Sequence, residues 1–486
     1  MRALKRLVLA LLLVVVALSV LVLYNGWRVG SARAAAAPIA PRTVDVGRVA
    51  AILAGAIRIP TISATPAGPS AESLAALEEH LRASFPRLMA LPIERPAGGT
   101  LLITWQGSDP ALPPVVLMAH QDVVPVVPGT EGEWQQPPFA GAVDGEFVWG
   151  RGAMDDKGSL ISISMAAEAL LEAGFSPKRT VLFAFGHDEE VLGSGAKAAA
   201  ELLAARGVRP ALVLDEGLMI LRDAIPGVAA PVALVGVAEK GYASFELLAE
   251  AEGGHSSVPH RESAISILAA ALERLTRTPL AARGDSPVFG MLDPAAPHAA
   301  FGMRLVLANR WLFGPLLERQ LAKEPLGDAL LRTTLAPTIV EGGVKENVVP
   351  PRARAVVNLR LLPGDTVTAM ERELVRRIAD SRVALQVLGP PSEASPVSAE
   401  GGWGYAALDR ALRDVRPDVV VAPGLMVGGT DARHFAAVSD QVFRFFPVEI
   451  GKEDTARFHG RNERISKQNL EQAVRVYARL LEISAG

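Results

Sequence analysis

The 486-residue chain contains no cysteine. Disulfides, thiolate metal sites and cysteine nucleophiles are thereby excluded, and any metal has to be held by His, Asp and Glu. An excess of either charge is also missing, with 49 basic against 52 acidic residues and a formal charge of −3. Nucleic-acid binding needs a basic excess or a basic face, so that class is set aside. There is no internal repeat, and no low-complexity segment beyond a short alanine run at 34–37. Half of the residues are hydrophobic, which excludes wholesale disorder and permits a large core. The length suggests about two to three domains.

Apolar sequence is concentrated at the amino terminus. Leu7 to Tyr24 is an 18-residue run broken only by Ser19 and preceded by Arg2, Lys5 and Arg6. As a helix it spans about 27 Å, enough to cross a bilayer core. The apolar part of a cleaved signal peptide is usually only about 7–15 residues. The small-residue pattern Ala32-Arg33-Ala34 lies well beyond the run. The expectation is a membrane anchor over 1–30, a tether over 31–44 and a catalytic part outside the cytoplasm, because long domains translocate largely regardless of nearby charge. Secretion after signal cleavage is the alternative.

Downstream, helical patterns over Val46 to Arg58, Ala71 to Phe85, Asp156 to Ala173 and Ser194 to Ala205 alternate with apolar strand runs. The strands are Leu101 to Trp105, Val115 to Ala119, Thr180 to Phe185 and Ala211 to Leu214. That alternation predicts an α/β layer on a mainly parallel sheet flanked by helices. After about Glu239 the texture becomes α+β, with strands at Ala243 to Ala249, Thr338 to Glu341, Ala353 to Leu361 and Val383 to Leu388. Helices there are Ser263 to Leu275 and Thr366 to Ile378, and 279–330 is Pro-rich and irregular. The first pattern resumes near 402 and ends in a helix, Ser466 to Ile483. The expected organisation is a catalytic domain in two parts, 45–238 and 393–486, with an inserted lid or dimerisation domain over 239–392.

Chemistry-bearing residues gather at strand ends. His120 closes the strand run from Val115, where ligands collect in open α/β sheets. Asp122, two residues on, can orient its ring. Asp155 and Asp156 stand at a helix start between glycines, where acids also serve as plain caps. Asp188, Glu189 and Glu190 come after another apolar strand, and three consecutive acids there call for a cation. Adjacent Glu residues suit a division in which one binds metal and its neighbour moves a proton. Asp215 closes a third strand, and His459 precedes the last helix. Two His and three carboxylates without Cys suit zinc, cobalt or manganese, and two metals sharing one Asp use all five. Gly193-Ser-Gly195-Ala-Lys-Ala198, with Asp215 beyond it, imitates a dinucleotide fingerprint, but three acids stand between strand and glycines and repel phosphate.

Taken in order, His120-x-Asp122, Asp155-Asp156-Lys-Gly, Asp188-Glu189-Glu190, Asp215 and His459-Gly-x-Asn-Glu463 resemble the di-zinc family of aminoacylase, acetylornithine deacetylase and carboxypeptidase S. Gly254-His255-Ser-Ser-x-Pro259, Asn347-Val-Val-Pro350, Arg360-Leu-Leu-Pro-Gly364 and Gly428-Gly-Thr430-Asp431 are similar to its lid motifs. His120-Gln-Asp-Val-Val-Pro125, Trp134 with Pro137-Pro-Phe139, and Glu239-Lys-Gly241 are similar to the branch of carboxypeptidase S and secreted N-acyl-amino-acid hydrolases. The resemblance runs from about residue 45 to the end.

It implies two zinc ions bridged by Asp155, with His120 and Asp215 completing one site and Glu190 and His459 the other. Glu189 becomes the general base, Asp122 the orienter of His120, and His255 an oxyanion donor that reaches a neighbouring subunit in dimeric relatives. Asn347, Arg360 and Thr430 hold the substrate, Arg360 through its carboxylate. The implied activity is hydrolysis of a peptide or N-acyl amide bond beside a free carboxylate, with hydrolysis or synthesis of N-acyl amino acids as the alternative. A silent receptor on the same fold needs ligands but no base, and Glu189 stands against it.

Overall fold

The computed structural model describes residues 2–31, 40 and 42–486. Most of the expected tether, with Ala32-Arg33-Ala34, lies outside the described residues.

The largest sheet has eight strands in the order Ile93–Glu94, Leu101–Trp105, Val181–Gly186, Val115–His120, Leu212–Leu221, Val442–Ile450, Val232–Glu239 and Val420–Met426. Its central pairings are parallel, while Leu101–Trp105 and the contact of Val232–Glu239 with Val442–Ile450 are antiparallel. The sheet is therefore mixed, and the expected α/β layer takes that form. Val115–His120 and Val181–Gly186 are buried at every position, which requires cover on both faces. Helices Val46–Ile57, Lys157–Glu172, Trp403–Val415 and Lys467–Ala485 build the core on one face. Ser194–Ala205 and Ala432–Phe435 cover the other.

A second, four-stranded antiparallel sheet has the order Thr334–Gly342, Arg352–Leu361, Gly241–Glu250, Val383–Ser392. Helices Ala264–Thr276 and Val367–Ile378 close its own small core. The stretch 279–330, expected to be irregular, holds short helices instead, including Phe301–Ala308, Arg310–Leu321 and Pro325–Leu331. Part of this segment packs with Val232, Val420 and Ala422 on the edge of the large sheet.

A buried ion pair sits in the large sheet at the point where the chain passes to the second layer. Arg444 is fully buried and its Nε donates to Glu239 Oε2 at 3.2 Å. The same carboxylate oxygen accepts from the N–H and the hydroxyl of Thr430. Glu239 stands where the chain leaves the large sheet, and Ser395, where it returns, bonds both the N–H and the C=O of Glu239. Arg444 sits in register with Asp215 and with Gly236. A Cβ on Gly217 or Gly236 would come within 2.7 or 3.0 Å of Arg444 Cβ, so side chains there would displace the arginine.

Removing one partner of such a pair leaves a buried, uncompensated charge. Arg444→Met is expected to cost about 3–5 kcal/mol of unfolding free energy, measured by urea denaturation. A double variant that also carries Glu239→Gln should recover part of that loss, and a merely additive double variant would count against the pairing.

Candidate metal centre

The parallel strands deliver their ends to one edge. His120 is the last residue of its strand and pairs in register with Gly186, after which the chain runs through His187 and Asp188 to Glu189 and Glu190. The strand read as ending at Leu214 continues to Leu221, and its register with Val442–Ile450 shifts just beyond Asp215. Such a bulge re-aims side chains, and here it presents Asp215 and Glu216 to the same edge.

Asp155 occupies the middle. His120 Nε2 lies 3.0 Å from one of its carboxylate oxygens, and His459 Nε2 lies 3.0 Å from the other. His459 Nε2 is also 3.2 Å from Glu190 Oε2. Ligand atoms of His120, Asp155 and Glu190 all fall within 4.8 Å of one another. Asp215 makes no hydrogen bond to that group; its oxygens accept the N–H groups of Glu216 and Ala432 at 2.9 and 2.7 Å. Neither acid at the helix start caps it through its side chain. Asp156 accepts the N–H of His120 instead.

Asp122 is a hub. Its Oδ1 lies 3.2 Å from His120 Nδ1 and accepts the N–H of Glu189 at 3.1 Å. Its Oδ2 accepts the N–H of Glu190 at 3.1 Å and the Ser63 hydroxyl at 2.6 Å. One carboxylate thus orients the imidazole and fixes the backbone of both glutamates, as an outer partner of a ligand does. Glu463 does the same for Asp155, accepting the N–H groups of Met154 and Asp155 and pairing with Arg151.

Asp188, expected to share the acid cluster, turns away. It accepts the N–H groups of Ser194 and Gly195 and the Ser194 hydroxyl, capping helix Ser194–Ala205. A carboxylate already occupies the helix end where a dinucleotide's pyrophosphate sits, which closes that alternative.

The charges are strongly coupled. Burial opposes protonation of His120, but its bonds to Asp122 and Asp155 outweigh that and hold it well above an ordinary imidazole. Hydrogen bonds to Asp155 and Glu190 raise His459 to about 10. Burial pushes Asp215 up to about 6. Burial, with the charges of Asp431, Glu190 and Asp155, also lifts Glu189 well above the usual carboxylate range.

The donor set fits metal. Glu190 Oε1 and both oxygens of Asp431 are buried without a hydrogen-bond partner, an arrangement that is costly unless a cation or proton satisfies it. Asp431 is almost fully buried, and in the sequence only its place in the Gly-Gly-Thr-Asp motif marks it. Ser63 and Asp431 carry no role legible in the residues themselves, because only the folded contacts give them one.

The other expected site residues lie apart. His255 and Asn347 are exposed neighbours on the small ribbon Gly254–His255 with Val348–Val349, where Ser256 N–H donates to Asn347 C=O. The Arg360 guanidinium lies 4.9 Å from the Tyr242 ring centroid. Thr430 is fully buried, with its hydroxyl and N–H committed to Glu239. Among the described residues, no hydrogen bond or ion pair joins these four to the Asp155 cluster.

The model of the peptidase family M20/M25/M40 matches residues 116–483. The chain belongs to the M20 peptidase family. It is an enzyme of the metallopeptidase and amidohydrolase type. This M20 chain is 41% identical over 438 residues to the N-fatty-acyl-amino acid synthase/hydrolase PM20D1 of Xenopus tropicalis, covering 89% of this chain and 85% of the relative. Carboxypeptidase S of Saccharomyces cerevisiae is 32% identical over 465 residues, covering 85% and 80%. Among solved structures, the M20 metallo-carboxypeptidase Sso-CP2 of Sulfolobus solfataricus superposes with a TM-score of 0.65 at 18% identity, over 91% of this chain and 99% of that one. The YXEP protein of Bacillus subtilis, a dinuclear metal-binding M20 peptidase, gives 0.57 at 16%, over 90% and 98%. These last two likenesses show that the M20 chain shares the fold.

Three substitutions separate holding metal from moving protons. Glu189→Gln is expected to retain bound metal while turnover falls by at least about 10²–10⁴-fold, checked by elemental analysis alongside rates. Asp155→Ala is expected to empty the centre, whereas His459→Ala weakens it chiefly on one side. Equal metal loss in these two variants would argue against a shared carboxylate.

Proposed function

We propose that this chain hydrolyses the amide bond of N-acyl amino acids that keep a free carboxylate, long-chain acyl groups included, at a centre of two divalent cations. What carries the proposal is the cluster itself: two imidazoles on opposite oxygens of one aspartate, an acid with an unpartnered buried oxygen, and a second glutamate beside it. The stronger similarity to N-fatty-acyl-amino acid hydrolases than to carboxypeptidase S supports the choice of acyl group.

In this reading Asp155 is shared, His120 and Asp215 serve one cation, and Glu190 and His459 serve the other. Zinc suits the donors, and cobalt or manganese is acceptable. Such a pair, when bound, supplies Lewis acidity and makes water a stronger acid. Glu189 accepts the proton of the attacking water and returns it to the departing amine nitrogen. Its place beside Glu190, with its N–H held by Asp122, suits both halves of that task. Asp122 keeps His120 and Glu189 in a fixed relation. Closure of the layer over 239–392, as a lid, brings His255 to the developing oxyanion and Asn347 and Arg360 to the substrate. Arg360, stacked on Tyr242, offers a planar fork for the carboxylate. Thr430 acts indirectly, by holding Glu239 at the lid junction. His255 from a second copy of the chain is part of this reading, because the ribbon that carries it is exposed.

The amino-terminal helix Arg2–Ser31 is long and apolar enough to cross a membrane, and none of its most apolar stretch is buried in the protein. We place it as an anchor, with the catalytic part outside the cytoplasm. A second reading, cleavage of short peptides at their carboxyl end, is favoured by the carboxypeptidase S likeness.

Rates for an N-oleoyl amino acid, an N-blocked dipeptide and the carboxamide of each separate the readings. The free-acid oleoyl substrate is expected to be fastest and both carboxamides poor. Arg360→Ala should cost about 2–4 kcal/mol in kcat/KM on free acids and leave the carboxamides nearly unchanged. Equal hydrolysis of acid and carboxamide by the parent enzyme would remove carboxylate recognition from its function.

A further inference from the structure

Segment 301–321 exposes apolar side chains beside the amino-terminal helix. Val22, Asn25, Gly26, Val29 and Gly30 share one face of that helix and are its less exposed positions, whereas Arg2 to Leu21 are exposed throughout. The contact is close and polar at its centre. Asn25 Nδ2 donates to Asn309 Oδ1 at 2.8 Å, and Asn309 Nδ2 donates to the Val22 carbonyl at 3.1 Å. A Cβ on Gly26 would strike the Leu305 side chain, and one on Gly30 the Arg304 side chain. Asn309 itself is fully buried.

This lock fixes the depth at which helix Arg310–Leu321 begins. Arg2, Lys5 and Arg6 mark one membrane boundary of the amino-terminal helix, and the exposed Tyr24 and Trp27 mark the other, where amphipathic rings gather. Asn309 stands level with Val22 and Asn25, at that second boundary, and helix Arg310–Leu321 starts from it. No residue of that helix is fully buried. Trp311, Leu312 and Leu316 are 58%, 45% and 58% exposed, and Phe301 at the start of the preceding helix is 57% exposed. Exposed Arg319 and Lys323 stand at its end. A monomer in water rarely shows so many large apolar groups together. A short helix with Trp and Leu outward and basic residues at its edge suits the boundary between headgroups and acyl chains.

We infer that Phe301 and helix Arg310–Leu321 form a second membrane contact, seated in the outer headgroup and acyl boundary of a phospholipid bilayer beside the anchor. The inference rests on the assignment of helix Arg2–Ser31 as a membrane anchor.

The absence of cysteine makes the test direct, since each introduced thiol is unique. Full-length protein carrying Leu312→Cys, Leu316→Cys, Val14→Cys or Glu201→Cys is labelled with a nitroxide in nanodiscs of phosphatidylethanolamine and phosphatidylglycerol. Collision with oxygen, relative to a water-soluble nickel chelate, reports depth. Val14 should read as bilayer interior, Glu201 as water, and Leu312 and Leu316 as boundary, with a clearly higher oxygen-to-nickel ratio than Glu201. If Val14 reads as bilayer but Leu312 and Leu316 match Glu201, the second contact is wrong while the anchor stands. A Val14 label in water removes the anchor and this inference together. Protection of Leu316 from both reagents would mean that a second copy covers the face, and would overturn the lipid assignment.

Discussion

Crowded negative charge at one edge of a buried sheet is the constraint on which the rest of this structure depends. Asp122, Asp155, Asp156, Glu190, Asp215 and Asp431 converge there, and burial pushes the carboxyls of Asp156, Glu190, Asp215 and Asp431 upward. The cations nearby are already committed. Arg444 serves Glu239, and Lys157 is buried with its ammonium donating to the carbonyls of Ala56 and Ile59. Two imidazoles alone cannot balance so many acids. The fold holds the repulsion in place through its packed strands, and that makes the edge a strong site for divalent cations.

Fixing the geometry falls to groups that need never touch a substrate. Asp122 and Glu463 each accept two backbone N–H groups, to which Asp122 adds the Ser63 hydroxyl and the His120 ring and Glu463 adds Arg151, so both ends of the Asp155 cluster are held by main chain as well as side chain. His459 sits at φ 55°, a left-handed conformation uncommon for a side-chain-bearing residue. Its loop is tied to the strand side by Arg151, which bonds the His459 carbonyl.

The sheet strands and the Asp155 cluster were legible because buried parallel strands read as short apolar runs and their ends carry the chemistry. Asp215 looked like a strand terminus because an acid pair interrupts the apolar run, whereas a bulge carries the strand past it. Asp188 looked like a third member of the acid cluster. Sequence shows adjacency, and the turn at 189–191 that sends Asp188 to the next helix appears only in three dimensions. The helices within 279–330 were hidden for a different reason. Amphipathic periodicity records one buried face and one watered face. Helix Arg310–Leu321 has no buried residue, has large apolar groups exposed and contains Pro315, so it leaves no such stripe. His255, Asn347 and Arg360 came from motif resemblance, since nothing in their local sequence marks them as a site.

The chain leaving the amino-terminal helix is fixed at two points. Gly30 lies against Arg304, and Arg42 is held by Glu482 and by Arg475 on the last helix. Only the eleven residues 31–41 separate these points, a span of at most about 40 Å when fully extended. Detachment of the helix from segment 301–309 therefore leaves it at a local concentration on the order of millimolar. Tethering at that concentration favours the closed helix contact over the open one more than contact between separate molecules would. The placement of the amino-terminal helix against the rest of the chain is set by chain length as much as by the strength of the Asn25–Asn309 bond.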